Sequence, residues 1–374
     1  MPTIISIVSY PFLPAKLGGQ KGIALFYKYF SRHCRLLCIT TQKNDPAAAE
    51  GYQVINAISN SPLRYINIFL LFPISRKINK QKASHFILEH PYYGWLGILL
   101  KKTTRASMVV HAHNIEYTRW KSLGKWWWPI LKWYEKQTMR AADYSFFKTV
   151  QDLEHAVAIF GLDRARTAVV TYGIEWDHVP AENDLLAART KLEQLHNIQP
   201  GTKIFLFNGS LDYAPNLDAV KIIVNTLNPR LLENKFRYKI IICGRGLPAE
   251  MNELKAYADK HIIYAGFVDD ISVYFKGADV FINPVTDGGG IKTKLVEALG
   301  YNLDAVSTTS GAIGVPIELT GTKMKIVSDE DWDGFANAMG EAGANRSVPD
   351  SFFEHFYWGN IADKAYNFII TQGK

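Results

Sequence analysis

Residues 278–300 read ADVFINPVTDGGGIKTKLVEALG. An apolar run closes on Asn283 and Pro284, three glycines follow, and IKTKLVEAL has the apolar spacing of a short helix that stops at Gly300. Strand, glycine turn and helix in that order are the repeating step of a parallel α/β sheet. The charges conflict with an empty helix end. Lys292 and Lys294 sit in the first turn, where the positive pole of the helix dipole already lies, at roughly 0.3–1 kcal/mol each. An anion bound by the loop amides removes the conflict, and a diphosphate suits two lysines. Glu297, one turn on and on the face of Lys294, is placed to accept hydrogen bonds from two ribose hydroxyls. A surface pair of Lys294 and Glu297 on a glycine-rich turn is the alternative. The ATP-type phosphate loop GxxxxGK[ST] does not match.

The same alternation runs outward in both directions. TIISIVSY, RLLCITT, ASHFILEH, ASMVVHAH, YSFFKTV and TAVVTYG read as one series of buried strands, with helical patterns such as ALFYKYFSRHC and WWWPILKWYEKQTMRAA between them. TKIFLFNGS, YKIIICGR, IIYAGF, ADVFINP, LDAVSTT and KMKIVSD form a second series. The polar helix and Pro-Gly break of ENDLLAARTKLEQLHNIQPG (182–201) separate the two. At 374 residues two domains are the natural division. The expected class is α/β, with two Rossmann-like doubly wound parallel-sheet domains facing a cleft, because ligands bind outside the carboxyl ends of parallel strands. The ranges predicted are 1–195, 196–345 and a C-terminal helix over 346–374 that packs back on the first domain.

Composition narrows the class. With 48% hydrophobic and 21% charged residues the chain is a soluble globular protein and not a disordered one. Three cysteines (Cys34, Cys38, Cys243) cannot pair fully and lack metal-ligand spacing, as suits a reducing compartment. The N-terminus reads as a first strand and not a signal peptide, and no apolar run is long enough to cross a bilayer. The net charge of +7 is uneven: residues 1–110 hold 14 Lys/Arg against 3 Asp/Glu. A basic first third suits an anionic lipid surface, a phosphorylated substrate, nucleic acid or simply water.

Other constellations add to the corner. ICGRGLPA (242–249) is a weak GxGxxA after a strand, but Arg245 at that strand's end is placed to meet phosphate. KIFLFNGSLDYAPNLDAV (203–220) puts Gly209 and Ser210 at a strand–helix turn, and Gly18-Gly19 before the first helix is a second anion cradle. His111 and His113 in MVVHAHNIEY share one sheet face, with His113 at the strand's carboxyl end, a position for an acid, a base or a donor to developing charge. DED (329–331) has the DxD form of a metal site but reads better as a helix cap. KWWWPILKWYEK (125–136) either rests on a membrane surface or packs within the first domain, and packing is the preferred reading.

Taken in order, FNGSLDYAPN, IICGRG, YAGFVDDISVYFKGADVFINP, GGGIKTKLVEALG and VSTTSGAIGV resemble the GT-B glycosyltransferases, and among them the retaining enzymes of family 4. HNIEY, QDLEHA and VTYGIEW extend the likeness into the first half. The resemblance implies that Glu297 is the ribose-binding second acid of an E-x7-E motif. It implies donor contacts at Gly209, Ser210, Arg245, Gly289, Gly290 and Lys294, and base recognition at Gly266, Phe267 and Val268. Gly18 and Gly19 would face donor phosphate or acceptor, and His113 the reacting sugar. The chain departs from the family at Gly289, where the first acid is absent, with Asp287 the nearest carboxylate. No Arg–Lys pair follows the first strand of the second domain.

The function expected from this resemblance is retaining transfer of a sugar from a UDP- or GDP-sugar to a glycan, lipid-linked or other hydroxyl acceptor in cell-surface polysaccharide or glycolipid synthesis. No cofactor or metal is expected. The donor would occupy the second domain and the acceptor the first, in the cytoplasm, with peripheral contact with an anionic membrane and no nucleic-acid partner. Two other functions fit the same fold: a nucleotide-sugar epimerase, and a non-catalytic subunit that binds nucleotide sugar beside a partner transferase.

Overall fold

The computed structural model describes residues 1–233, 236–343 and 347–371. Two compact units emerge: Met1–Glu175 with Gly289–Ile291 and His355–Lys374, and Trp176–Gly288 with Lys292–Glu354. The helix that ends the first predicted domain lies in the second unit, since the change falls at 175/176.

The first unit runs β1 (Thr3–Val8), α1 (Gly18–Phe30), β2 (Arg35–Thr41), β3 (Gln53–Ile58), α2 (Leu71–Lys80) and β4 (His85–Glu89). It continues through α3 (Gly94–Thr103), β5 (Ser107–Ala112), α4 (Glu116–Ser122), α5 (Trp128–Ala141), β6 (Tyr144–Phe147), α6 (Val150–His155) and β7 (Thr167–Val169). All seven strands are parallel, in the order β3-β2-β1-β4-β5-β6-β7. The order reverses between β1 and β4, which makes that gap the topological switch point. Every residue of β4 is buried, as a strand covered on both faces requires. β3 is absent from the sequence expectation: it is an edge strand, and its half-exposed QVINAI lacks a continuous apolar signal.

The second unit runs α7 (Glu182–Leu195), β8 (Lys203–Asn208), α8 (Ala214–Ile222), α9 (Asn228–Leu232), β9 (Tyr238–Cys243), β10 (Ile262–Gly266) and α10 (Ile271–Gly277). It closes with β11 (Val280–Asn283), α11 (Thr293–Gly300), β12 (Asp304–Thr308), β13 (Met324–Val327) and α12 (Trp332–Glu341). The six strands are again parallel, ordered β10-β9-β8-β11-β12-β13. Relabelled from the unit's own first strand this is 3-2-1-4-5-6, the doubly wound order, with its switch point between β8 and β11. Arg189 of α7 ties that helix to its unit through Asp279 and the Gly277 and Thr202 carbonyls.

After α13 (Asp350–Phe356), α14 (Trp358–Thr371) lies on the first unit. Tyr366 stacks on His33 with ring centres 5.3 Å apart, and Phe368 packs on Tyr144 and Phe146. The packing reading of KWWWPILKWYEK needs correction. Trp127 and Trp128 are half-buried, but Trp126 and Trp133 are exposed, because the face of α5 that carries Ile130 and Trp133 points away from the core. Among the described residues no helix is long and apolar enough to cross a membrane.

Candidate functional site

At the switch point of the second unit, the loops after β8, β9 and β11 lie at the carboxyl ends of neighbouring strands. Gly209 and Gly244 let two of these loops touch. A Cβ on Gly244 would meet the Gly209 carbonyl oxygen at 1.9 Å, and one on Gly209 would meet the Asn216 amide at 2.7 Å. The backbone contact makes Gly244 the position that requires glycine, whereas a side chain at Gly209 would have to displace the Asn216 amide. The Ser210 hydroxyl is engaged, donating to Asp212 at 2.7 Å. Arg245 is exposed and has no ion-pair partner among the described residues. Gly266 has φ +64°, which explains the glycine; Phe267 beside it is 72% exposed and Val268 half-buried.

A helix follows the glycines, but it starts at Thr293 with Lys292 as its N-cap, so that of the two lysines expected in its first turn Lys294 alone is there. Its first turn holds no acid and its cap no side-chain hydrogen bond. The Lys292 ammonium turns back onto the Gly288 carbonyl. Lys294 pairs with Glu297 at 2.7 Å, with Glu297 nearly buried. Gly288 and Gly290 have φ of +93° and +73°. Gly289 does not, and a Cβ there meets nothing within 4 Å. The loop conformation needs glycine at two positions, and the third is the one where the family's acid is missing. DED at 329–331 works as structure: Asp331 caps α12 through Gly334 N, and Asp329 accepts from the Ser310 amide and hydroxyl.

In the first unit, Gly18 and Gly19 open α1. The first helical bond is Lys21 N to Leu17 O, so the amides of residues 18–20 precede the ladder. The Gln20 side chain accepts from Lys16 N and Leu17 N and holds the approach to this end.

The histidines converge on a residue that sequence did not single out. Glu89 is the last residue of β4, fully buried. Its Oε2 lies 2.6 Å from His113 Nε2, and its Oε1 takes the Tyr27 hydroxyl at 2.7 Å and His111 Nδ1 at 3.0 Å. Burial pushes the Glu89 carboxyl up, but His111 and His113 more than offset it and hold it well below the usual carboxylate range. Burial, with His90 beside it, holds His113 well below the usual histidine value, and burial likewise lowers His111. Both rings are then neutral donors to an ionised carboxylate. Assigned from this network, His113 carries its proton on Nε2, and its Nδ1 is left as an acceptor. A substrate hydroxyl, not a developing negative charge, is what that nitrogen can take. Lys148 is buried nearby with no hydrogen-bond partner, lowered to about 8 by burial against the opposing pull of Glu89.

Glu89, His111 and His113 are also the group among the described residues whose spacing could hold a cation. A His₂Glu set is chemically apt for zinc. Here, however, all three are joined by short hydrogen bonds, and Tyr27 and the Lys148 charge crowd the same carboxylate. The cysteines are free and buried, and burial raises each thiol to about 12.

Two doubly wound parallel-sheet domains are the architecture of the GT-B class. Residues 202–345 match the family model described as Glycosyl transferases group 1, and residues 18–178 match Glycosyltransferase Family 4. Between them these two models cover most of the chain, which belongs to the family 4-like GT-B glycosyltransferases. Sucrose-phosphate synthase from Thermosynechococcus elongatus superposes with a TM-score of 0.73 at 15% identity, covering 100% of this chain and 99% of that one. HepE from Anabaena, in complex with UDP, gives 0.73 at 15%, covering 99% and 100%. These likenesses bear on the fold. An uncharacterised 44.6 kDa protein in the cps region of Klebsiella pneumoniae is 26% identical over 131 residues, 33% of this chain and 34% of that protein. The chain thus matches about a third of that relative's length.

Proposed function

We propose that this glycosyltransferase moves a sugar, with retention at the anomeric carbon, from a nucleotide-diphosphate donor to a hydroxyl of a glycan or glycolipid in cell-surface polysaccharide synthesis. The observation that carries the reading is the corner of the second unit: a helix N-terminus without an acid, Lys292 at its N-cap and Lys294 in its first turn, and a nearly buried Glu297 one turn inside. The loop amides, Lys294 and the unpaired Arg245 would hold the diphosphate and stabilise it as it leaves, without a metal. Glu297 would turn from Lys294 to the ribose hydroxyls, and the exposed Phe267 would offer a face to the base. HepE is described in complex with UDP and with UDP-glucose, which favours a uridine nucleotide. His113 Nδ1 is the proposed acceptor for a sugar hydroxyl.

The test is a panel of UDP- and GDP-hexoses incubated with a glycolipid extract, in the presence of EDTA, with the product's anomeric configuration read by NMR. Transfer with the donor's configuration supports the reading; inversion, an EDTA-abolished rate or a free epimerised sugar contradicts it. Peripheral membrane contact is supported by exposed Trp126, Ile130 and Trp133 among Lys125, Lys132 and Lys136, and by exposed Phe69 and Phe72 near Arg76 and Lys80. Flotation with anionic and with neutral liposomes at low salt should show binding to the anionic set; no binding counts against it.

A further inference from the structure

Between Leu63 and Lys82 an apolar patch runs into a basic one. Two 3₁₀ turns, Pro62–Ile66 and Ile68–Leu70, lead into α2, and each is capped by a side chain: Ser61 Oγ accepts from Leu63 N, and Asn67 Oδ1 from Phe69 N. Leu70, Ile74 and Ile78, four apart, put one stripe of this helix on the core. Phe72, Arg76 and Lys80 therefore share the opposite stripe, and all three are exposed. Leu63, Ile66, Phe69 and Phe72 are each 67–75% exposed, a run of large apolar side chains outside the core.

The basic part is not neutralised. Residues 51–88 hold five Lys/Arg and no Asp/Glu. The acids at either end are engaged, Glu50 with Lys28 and Glu89 within the buried network. Arg76, Lys77, Lys80 and Lys82 have no ion-pair partner among the described residues, whereas Lys101 on α3 pairs with Asp143 at 2.7 Å. A groove of about 540 Å³ follows the outer stripe of α2, lined by Phe72, Ser75, Arg76 and Lys80, with Thr103 of α3 beside them. The Asn79 amide donates to the Thr103 carbonyl at 3.4 Å and holds that side. The volume is within the roughly 300–1,000 Å³ of ordinary ligand pockets.

We propose that this groove seats the phosphate of one anionic phospholipid, whose acyl chains lie on Phe69 and Phe72. Arg76 and Lys80 supply charge-assisted donors, and Ser75 a neutral one. The spacing favours a lipid over an acidic protein segment. Phe72 and Arg76 are one turn apart, about 6 Å along the helix axis. The headgroup layer of one leaflet is about 5–8 Å deep, so with α2 end-on to the bilayer Phe72 reaches hydrocarbon when Arg76 is level with phosphate. A second copy of the chain, meeting this patch with its own, would set like charges against Arg76 and Lys80. The inference rests on the proposed peripheral membrane contact for the source of the lipid, and it narrows that contact from a diffuse attraction to a single site.

The test titrates dihexanoyl phosphatidylglycerol, kept below its micellar concentration, into wild type, Phe72→Ser and Arg76→Gln with Lys80→Gln, followed by saturation-transfer NMR. The same proteins are floated with vesicles of phosphatidylcholine with and without phosphatidylglycerol. All three side chains are exposed, and circular dichroism confirms the fold of each variant. The soluble lipid should saturate the wild type, with transfer to its acyl protons. Each variant should bind it at least about tenfold more weakly, as loss of a charged contact or an apolar face requires. No uptake by the wild type, equal uptake by the variants, or inorganic phosphate or dihexanoyl phosphatidylcholine binding as tightly, overturns the inference. So does a wild-type dimer in sedimentation that Phe72→Ser dissociates. Vesicle flotation that survives these variants but not Trp133→Ser also overturns it, while leaving membrane contact to the other patch. Uptake of the soluble lipid without flotation on anionic vesicles supports the groove and removes the peripheral contact instead.

Discussion

Replacing Glu89 by glutamine removes one charge and one acceptor from the centre of the first unit. The wild-type carboxylate takes three donors, from His113, Tyr27 and His111, at 2.6, 2.7 and 3.0 Å. Glutamine offers one oxygen and one NH₂. If its oxygen serves Tyr27 and His111, the NH₂ confronts the N–H of His113, and that ring must move its proton to Nδ1. The reverse placement sets two donors in conflict, so the first is preferred. Hydrogen bonds to a charged group contribute about 1.5–3 kcal/mol and neutral ones about 0.5–1.5, so three weakened bonds lose roughly 3 kcal/mol. Lys148 also loses its counter-charge, while the amide is cheaper to bury than the carboxylate. A net loss of about 2–4 kcal/mol is expected. Seven of the nine tryptophans lie in the first unit, so fluorescence-detected urea unfolding reports on it. The ¹⁵N shifts of His113 should show the proton on Nε2 in wild type and on Nδ1 in Glu89→Gln. A midpoint shift worth less than about 0.5 kcal/mol, with unchanged ring shifts, refutes the network.

Gly290→Ala should cost about 1–2 kcal/mol, because φ is +73° there, while Gly289→Ala should stay within about 0.5 kcal/mol of wild type; comparable losses at the two would contradict the loop geometry. His111 and His113 are held below the usual histidine value by burial, so below pH ~6.5 the unfolded chain takes up protons that the folded one refuses. Their stabilisation is complete above that pH and is lost as pH falls, by up to about 1.4 kcal/mol per unit for each. Glu135, raised to about 8 by burial, works the other way between pH ~4.5 and 8, but burial also lowers His85, His155, His196, His261 and His355, which act with the first two. Urea midpoints should therefore rise from pH 5 to 7, and less steeply in His111→Phe; a flat wild-type profile contradicts this. The three thiols, raised to about 12, should resist Ellman's reagent at pH 8 until the chain is unfolded, and rapid reaction of the native protein would contradict their burial.

The parallel sheets were legible because their strands are short, continuous apolar runs between helical patterns, as in HFILE and KIFLFN. QVINAI was not, since an edge strand shows water one face and carries no such run. The 287–300 corner was readable because glycine turn, misplaced lysines and Glu297 are local in sequence. Glu89 was hidden for the opposite reason. It lies 22 and 24 residues from the histidines it joins, and it ends an ordinary buried strand until β4 is known to neighbour β5. The contact between Gly244 and the Gly209 carbonyl was hidden as well, since the two glycines belong to loops 35 residues apart.

Equilibrium binding tests most directly whether the second unit holds a nucleotide. Isothermal titration of UDP, GDP and ADP into wild type, Glu297→Ala and Arg245→Ala, with circular dichroism confirming the fold of each, separates nucleotide recognition from turnover. One nucleotide should bind the wild type, most readily UDP, and both variants should bind it at least about tenfold more weakly, as the loss of one charged contact requires. No binding by any nucleotide, or an affinity unchanged by Glu297→Ala, would contradict it.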